Sequence, residues 1–357
     1  MKLKQFAFDE RSESMKAPVG LLSDRTVLRS KMKRLRLFKF FKQETVLSVA
    51  AVLAVLSMFF VPPDADYLGY IDLRTLAILF SLMTIMAGLR RQGVFDRMGR
   101  ALTIPVVCMQ TIAANLGSML TPIGNPQNLY LYGKSGMRMA EFLLLMLPYT
   151  VVSLLLLVGW AVAVCRKQAS ASIGIFPEQQ NITADRKIIL LDAVLFAVCL
   201  LAVVRVLPYG VAFAAVLVCT LCADRSTLRN VDYSLLLTFV AFFVFIGNLG
   251  RIPAFSGWLQ AILAGREVLV AVLASQVTSN VPAALLLSGF TDETAALIIG
   301  TNLGGLGTLI ASMASLISYR QIARELPEEK DLYFKLFTLS NLIFLVILLA
   351  EWRILGR

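Results

Sequence analysis

Histidine is absent from the sequence, and charged residues are scarce. Asp, Glu, Lys and Arg make up 16% of the 357 residues, whereas soluble domains carry about 25%, and 58% of the residues are hydrophobic. This composition excludes a soluble enzyme. Without histidine, the chain can supply neither a His-ligated metal site nor a His general base.

Cysteine is also sparse and offers no recognisable chemistry. The five cysteines are scattered, so the sequence does not support a disulfide framework. Cys219 and Cys222 form a C-x-x-C motif, but it lies in the apolar run 211–222, and we interpret both as buried small hydrophobes. No G-x-x-x-x-G-K-[ST] motif is present, which excludes a P-loop ATPase. We therefore expect no enzyme and no cofactor beyond a coupling ion.

Long runs without a charged residue are abundant. Most are long enough to cross about 30 Å of hydrocarbon as helices, and they lack the apolar and polar alternation of a β-barrel. The sequence therefore predicts an all-α, polytopic helical membrane protein whose outer surface contacts lipid. The runs are residues 45–62, 101–133, 142–165, 233–250, 268–291 and 294–319.

Basic residues are distributed unevenly around these runs. Residues 1–44 hold 12 Lys and Arg against 5 acids, which predicts a basic cytoplasmic tail near anionic lipid rather than a nucleic-acid site. The linker 166–187 is also predicted to be cytoplasmic. The alternation of basic and non-basic loops predicts nine crossings, a cytoplasmic amino terminus and a bacterial inner-membrane location. The crossings are expected at about 45–62, 73–89, 104–132, 142–164, 188–206, 209–223, 233–249, 294–318 and 335–350.

Two stretches of the chain match each other. Asp72 and Asp232 each head an apolar span that has Arg 19 positions and Phe 23 positions later. Asn115 and Asn302 each start an Asn-Leu-Gly sequence that has Thr six positions and Ile eight positions later. In the predicted topology the matching spans cross in opposite directions, an arrangement typical of secondary transporters. The predicted inverted halves are residues 45–165 and 188–357.

The first half is shorter than the second between these anchors. Phe95 and Asn115 are 20 positions apart, whereas Phe255 and Asn302 are 47 apart, a difference of 27. The longer interval contains an uncharged run, 268–290, which is interrupted at its middle by Ser-Asn-Val-Pro and predicts a re-entrant hairpin. We therefore expect the first half to lack its hairpin.

Helix-breaking residues interrupt two of the predicted spans. The first span contains Gly117, Pro122, Gly124 and Pro126, and the second has four glycines within 300–307. Unwound backbone persists in a membrane only where protein or a water-filled cavity satisfies it, and its carbonyls and amino ends suit a small cation and an anion. The alternative, close helix packing at small residues, does not account for breaks at matching positions of both halves.

Polar residues in these spans allow several roles. We interpret Asn115, Asn302 and Asn280 as site residues, because an amide in hydrocarbon needs partners. The neighbouring amides could serve the site or simply cap a half-helix, and they are Asn125, Gln127 and Asn128.

Charged residues in or beside the spans are interpreted as structural. Asp72 and Asp232 are expected to be helix caps rather than a proton relay. Asp192 and Arg205 lie 13 positions apart in one span, too far to pair, and each is expected to snorkel or meet a partner helix.

One segment resembles a known group of transporters. Residues 114–128, Ala-Asn-Leu-Gly-Ser-Met-Leu-Thr-Pro-Ile-Gly-Asn-Pro-Gln-Asn, resemble the ion transporter superfamily, which includes citrate transporter-like proteins, divalent anion:sodium symporters and arsenite permeases. The resemblance extends over about residues 40–350. It implies a homodimer of chains with two inverted halves, each with a broken helix and a hairpin whose tip is of Ser-Asn-Thr type.

This chain departs from that pattern at two places. Its second tip is Ser279-Asn280-Val281, with Val281 where the pattern has threonine, and no first tip exists between Arg100 and Val106. The resemblance places substrate and cation between tips and broken helices. Expected substrate contacts are Asn115, Ser118, Thr121, Asn125, Asn280, Thr301, Asn302 and Thr308, and expected Na⁺ ligands are Ser279, Asn280, Gly300, Asn302 and Gly305.

These observations predict a secondary active transporter of a small anion, a carboxylate such as citrate or a dicarboxylate. Na⁺ or H⁺ would drive it, and the hairpin and broken helices would move against the scaffold. The alternative is a non-transporting membrane relative that keeps only the scaffold. Because one hairpin is missing, we expect transport by the unmodified chain to be weak or absent, and the first broken segment to face an unfilled or collapsed pocket.

Overall fold

A computed structural model describes residues 44–94, 104–168 and 185–356, and this part of the chain is helical and free of strands. From Ala50 onward the chain forms one compact unit. The predicted tail 1–44 lies, apart from its last residue, outside the described residues. The helices are α1 (Thr45–Ser57), α2 (Tyr67–Tyr70), α3 (Leu73–Arg91), α4 (Ile104–Gly117), α5 (Pro126–Ser135), α6 (Met139–Gln168), α7 (Arg186–Val203), α8 (Tyr209–Ala223), α9 (Tyr233–Gly250), α10 (Pro253–Leu263), α11 (Glu267–Thr278), α12 (Asn280–Leu287), α13 (Thr294–Leu303), α14 (Met313–Glu325) and α15 (Lys330–Leu355).

The lengths and composition of these helices confirm a polytopic helical membrane protein. Within the described residues, α3, α6, α9 and α15 are each long and apolar enough to span a membrane, and α10 with α11 forms a fifth, sharply bent pair. Each predicted crossing contains a helix or a broken pair of helices. The sequence did not indicate α10, which meets α11 at 112°. The sidedness of the crossings stays a prediction.

The two long spans that start the repeated units are capped as expected. Asp72 accepts a hydrogen bond from the Thr75 amide at 3.0 Å, and Asp232 accepts one from the Leu235 amide at 3.0 Å. Each carboxylate therefore satisfies an amide that the first helical turn leaves without a partner. The structure confirms the interpretation of both residues as caps.

Both broken helices occur where glycine and proline predicted them. The first break (residues 118–125) separates α4 from α5, and Pro126 occupies the first turn of α5, where its missing amide costs nothing. The second break (residues 304–312) separates α13 from α14. Asn125 and Ser312 are the N-caps of the resuming helices, and they occupy matching positions in the two repeats.

The re-entrant hairpin of the second half consists of α11 and α12, which contact each other. Ser279 between them has φ 76°, so the chain turns sharply at the predicted tip. Between α9 and α13 lie residues 251–293, whereas only residues 92–103 separate α3 from α4. The interval from Arg100 to Val106, where the first tip has no counterpart, lies largely outside the described residues.

The hairpin arm α11 covers one face of α13. A Cβ atom at Gly304 would lie 2.6 Å from the Ser275 hydroxyl oxygen, so only glycine permits this approach. Gly117, the repeat mate of Gly304 on α4, is exposed and has no described residue within 4 Å of its Cβ position. Among the described residues, no hairpin covers in the first half the face that α11 covers in the second half.

The cysteines follow the hydrophobic interpretation in part. Cys108 is buried between α4, α14 and α15, and Cys199 is buried between α3, α7 and α8. The prediction for the C-x-x-C motif was wrong at Cys222, which is exposed on α8, while Cys219 is half-buried.

Candidate transport site

A cavity of about 210 Å³ lies where the hairpin tip (Ser279–Val281) meets the two breaks. The first broken segment therefore faces an open cavity and not a collapsed one. Six residues predicted for the site line this cavity: Asn115, Ser118, Asn125, Asn280, Asn302 and Gly305. The remaining lining residues are Ala114, Gly124, Pro126, Gln127, Val281, Ser312, Met313 and Ala314.

Asn115 joins the first broken helix to the second. Its carbonyl oxygen accepts a hydrogen bond of 2.6 Å from the Ser312 hydroxyl. Its amide donates to the Ser315 hydroxyl at 3.3 Å and to the Gly305 carbonyl at 3.4 Å. Because Ser312 is the N-cap of α14, the amide of one half contacts the start of the resuming helix of the other half.

Asn302 makes the equivalent bonds in the opposite direction. Its carbonyl oxygen accepts a bond of 3.0 Å from Asn125, the N-cap of α5, and its amide donates to the Asn128 carbonyl oxygen at 2.6 Å. The same 187 positions separate the three matched pairs, which are 115 with 302, 125 with 312, and 128 with 315. The halves therefore exchange equivalent hydrogen bonds across the cavity.

Two half-helices start at the cavity. Helix α5 begins beside Asn125, whose side chain accepts a hydrogen bond from the backbone amide of Asn128 at 2.8 Å. Helix α12 begins at Asn280. Both N-terminal ends carry partial positive charge of about half an elementary charge. The cavity is therefore favourable for an anion, although no charged side chain of the described residues lines it.

Positively charged side chains bind the C-terminal ends of these two half-helices. The Arg205 guanidinium donates to the carbonyls of Tyr132 at 3.1 Å and Gly136 at 3.2 Å, which end α5. The Lys134 ammonium donates to the carbonyl of Ser288, the residue that ends α12. A cation at a helix C-terminus offsets the negative end of the dipole. Arg205 thus meets a partner helix, as the sequence predicted.

A glutamine that the sequence analysis missed shapes the second break. The Gln276 amide on α11 donates to the carbonyls of Gly304 at 3.0 Å and Leu306 at 2.9 Å. The side-chain carbonyl oxygen of Gln276 accepts a hydrogen bond from the backbone amide of Thr308 at 2.9 Å. These bonds leave the intervening Gly305 carbonyl for the cavity side, where Asn115 reaches it. The sequence feature that could have identified Gln276 is its position, an amide one turn before the predicted tip in an otherwise apolar arm.

The structure does not bring the three predicted threonines to the cavity. Thr301 is fully buried and donates its hydroxyl hydrogen to the Leu297 carbonyl one turn earlier in α13, at 2.7 Å. Thr308 is exposed and donates its hydroxyl hydrogen to the backbone carbonyl of Gln276 at 3.0 Å. Thr121 offers its backbone carbonyl to the Asn128 amide at 3.4 Å and is not a lining residue.

Two predicted cation ligands also lie outside the cavity lining. Gly300 packs against α11, where an added Cβ would lie 2.7 Å from the Ala271 Cβ and the Val268 carbonyl. Here the close-packing alternative holds for an individual glycine. Ser279 is buried and directs its hydroxyl to the Ala311 carbonyl at 3.4 Å, so it braces the tip against the second break.

Gln127 is a lining residue that the sequence analysis left undecided. Only 2% of it is exposed, and its side chain makes no hydrogen bond to the described residues. Its neighbours Asn125 and Asn128 are the ones that cap α5 and tie down the first break, since Asn128 donates to the Met119 carbonyl at 3.2 Å. The three amides therefore have separate roles.

Within the described residues, two arginines form ion pairs between the halves away from the cavity. Arg91 at the end of α3 pairs with Asp224, and Arg251 at the end of α9 pairs with Asp64 at 2.6 Å. Hydrogen bonding to Arg91 holds the pKa of Asp224 well below its usual range, and Arg251 lowers the pKa of Asp64 in the same way. Each repeated arginine therefore contacts an acid of the other repeat.

Asp192 is buried in α7 and does not line the cavity. An added Cβ at Gly88 of α3 would lie 2.4 Å from its carboxylate, so the side chain occupies the space that this glycine leaves. It meets a partner helix, as predicted, and does not reach the site.

Comparison with known proteins agrees with this architecture. Residues 99–297, more than half of the chain, match the citrate transporter family. The chain belongs to the citrate transporter family. The matched region includes the first break, the hairpin and the start of α13. Membership in a transporter family supports the expectation of a transport protein and not an enzyme.

Two curated relatives share part of this family member's sequence. An uncharacterized transporter of Methanocaldococcus jannaschii, MJ0456, is 33% identical over 219 residues, which cover 60% of this chain and 57% of the relative. The inner membrane protein YbiR of Escherichia coli is 33% identical over 234 residues, which cover 62% of this chain and 60% of the relative. The chain thus spans about three fifths of the length of these relatives.

Proposed function

We propose that this chain is a secondary active transporter of a small carboxylate, driven by Na⁺ or H⁺. The observation that carries the proposal is the meeting of two half-helix N-termini, those of α5 and α12, at one cavity. Amino ends of half-helices bind carboxylates in transporters without requiring a basic side chain. A cavity of about 210 Å³ holds a compact solute rather than a large one.

Carbonyl groups at the same cavity support coupling to a cation. The Gly305 carbonyl lies at the cavity, and the amide oxygens of Asn115 and Asn280 are close by. Hard cations such as Na⁺ prefer oxygen ligands, and unwound backbone in transporters supplies them. Na⁺ is the coupling ion that these oxygens favour, and the inner membrane is the location that YbiR suggests.

A unit of hairpin and broken helices would carry the solute. Asn280 donates its backbone amide to the Ala311 carbonyl at 3.0 Å, and Gln276 holds Gly304 and Leu306, so the hairpin is fastened to the second break. The exchanged asparagine bonds fasten the second break to the first. We expect these elements to move together against the scaffold of α3, α7 and α8, within a homodimer.

A second candidate function, a non-transporting relative, is favoured by the open face at Gly117. The family resemblance implies a site with two tips, and a single tip supplies half of the oxygens that two tips would place around a cation. We therefore expect weak or no transport until a first hairpin is restored. Insertion of an uncharged 27-residue hairpin with a central Ser-Asn between Gly99 and Pro105 is designed to restore it.

Uptake into proteoliposomes tests the proposal. Labelled citrate and succinate are offered to the unmodified chain and to the chain with the inserted hairpin, under an inward Na⁺ gradient, an inward H⁺ gradient or neither. We expect gradient-dependent uptake of at least one carboxylate by the restored chain. Absence of uptake by both proteins under every gradient would favour the non-transporting relative.

A further inference from the structure

The five amides of the cavity divide into two groups by their hydrogen bonds. Asn115, Asn125 and Asn302 use both ends of their side chains to bind other protein groups. Gln127 makes no side-chain hydrogen bond to the described residues, and the Asn280 side chain has only a 3.5 Å contact from the adjacent Ser279 hydroxyl. The first group is occupied in holding the fold, and the second group is free.

The two free amides are also buried. Gln127 is 2% exposed and Asn280 is 7% exposed, and both line the cavity. A buried amide without a partner costs about 1–3 kcal/mol, so such groups persist where water or a ligand satisfies them. They lie in different halves of the molecule, one at the start of α5 and the other at the start of α12, beside the two positive helix ends.

The repeat symmetry singles out Gln127 further. Its mate in the second half, 187 positions later, is Ala314, which also lines the cavity but offers no polar group. Asn115, Asn125 and Asn128, which hold the two breaks together, all have polar residues at the matching positions of the second half. Gln127 therefore lies outside the symmetric hydrogen-bonded frame and is available to the contents of the cavity.

We infer that Gln127 contacts the transported solute alongside Asn280, the tip residue already expected to do so, and that Asn115, Asn125 and Asn302 are positioning residues that hold the breaks around it. A carboxylate accepts hydrogen bonds from the two free amide nitrogens, which replace the water it loses on entry. The inference rests on the proposed function, because it assigns contacts within the same cavity.

Cysteine labelling tests this division without requiring transport. Exposed native cysteines are replaced by serine in the full-length chain, and Gln127→Cys, Asn280→Cys and the buried control Thr301→Cys are prepared in that background. A water-soluble, negatively charged methanethiosulfonate is the probe, because the cavity favours anions. We expect the first two thiols to react about tenfold or more faster than the third, because reactivity follows exposure to water. Labelling of Gln127→Cys as slow as that of Thr301→Cys would overturn the inference.

Protection and uptake supply the second readout. Citrate in the presence of Na⁺ should slow labelling at both Gln127→Cys and Asn280→Cys, and Gln127→Leu should raise the KM for uptake by the hairpin-restored chain while Gln127→Asn keeps part of the affinity. Protection of Asn280→Cys alone would contradict the assignment of Gln127. If no carboxylate is taken up or protects either thiol, the proposed function fails, whereas fast labelling at both positions still supports the free amides.

Discussion

Asn125 and Asn302 are joined by a hydrogen bond of 3.0 Å between the two halves of the molecule, and Ser312 and Asn115 form its symmetry mate at 2.6 Å. Each bond connects the N-cap of one resuming half-helix to the end of the opposite broken helix. Since these caps lie at the cavity, the same bonds fix the distance between the two breaks. The asparagines predicted as site residues therefore act first as the frame of the site.

The bond between Asn125 and Asn302 should be measurable as a coupling energy. Asn302→Ala leaves the side chains of Asn125 and Asn128 without their partner in a buried setting, so we expect it to lower the free energy of unfolding by about 1–3 kcal/mol. A double-mutant cycle of Asn125→Ala with Asn302→Ala, followed by denaturant unfolding in detergent, should give a coupling of about 0.5–3 kcal/mol. Strictly additive losses would contradict the bond.

Gly117 at the end of α4 and its mate Gly304, which directly follows α13, should respond differently to the same substitution. Gly304→Ala places a Cβ 2.6 Å from the Ser275 hydroxyl oxygen, so it should destabilise the protein by separating α13 from the hairpin arm. Gly117→Ala meets no described residue within 4 Å and should be neutral or stabilising by up to about 1 kcal/mol, because alanine favours the helix.

Thermal melting of the two variants in the same detergent measures this difference. The restored protein adds a sharper comparison, since an inserted first hairpin should cover α4 and make Gly117→Ala costly as well. Equal melting temperatures for Gly304→Ala and Gly117→Ala would show that the hairpin does not pack on α13 as described.

The ion pair of Arg91 and Asp224 should make stability depend on pH. The pKa of Asp224 is lowered in the folded protein, so its contribution is present above the unfolded value of about 3.9 and is lost as the pH falls through the folded value. Asp224→Asn should lower the free energy of unfolding at neutral pH by up to about 1 kcal/mol, since the pair is partly exposed. The variant should lose less stability than the parent on acidification.

Denaturation of parent, Asp224→Asn and Arg91→Gln between neutral and acidic pH measures this effect. The double variant that combines Asp224→Asn with Arg91→Gln should lose no more stability than one of the single variants, because each substitution breaks the same pair. If Asp224→Asn lost as much stability on acidification as the parent, the ion pair would not contribute to the pH dependence.

The sequence predicted the path of the backbone better than the partners of the side chains. Pro126 and the glycines near 300–307 marked both breaks, and Ser279 marked the tip, because these residues act locally. The exchange between Asn115 and Ser312 joins groups nearly two hundred positions apart, and no local pattern reveals it. The repeat offset of 187 could have suggested it once both N-caps were recognised.

Thr301 is a predicted site residue that does not line the cavity, and its helix gives the reason. A hydroxyl in a helix can bond to the carbonyl one turn earlier, as Thr301 does to Leu297, and then contributes nothing to a cavity. Gln276 was missed for the opposite reason, since an amide on an apolar arm gives no indication of which backbone it will reach. The open face at Gly117 agrees with the shorter spacing in the first half, although residues 95–103 lie outside the described part of the chain.

The most direct test of the account is cation-driven carboxylate uptake by the hairpin-restored protein with and without Asn280→Ala, reconstituted at equal density in proteoliposomes. If the cavity at the tip is the transport site, restored protein takes up citrate or succinate under an inward Na⁺ gradient, the unmodified chain does so weakly or not at all, and Asn280→Ala abolishes the uptake. Robust uptake by the unmodified chain that is insensitive to Asn280→Ala would contradict both the site and the missing hairpin.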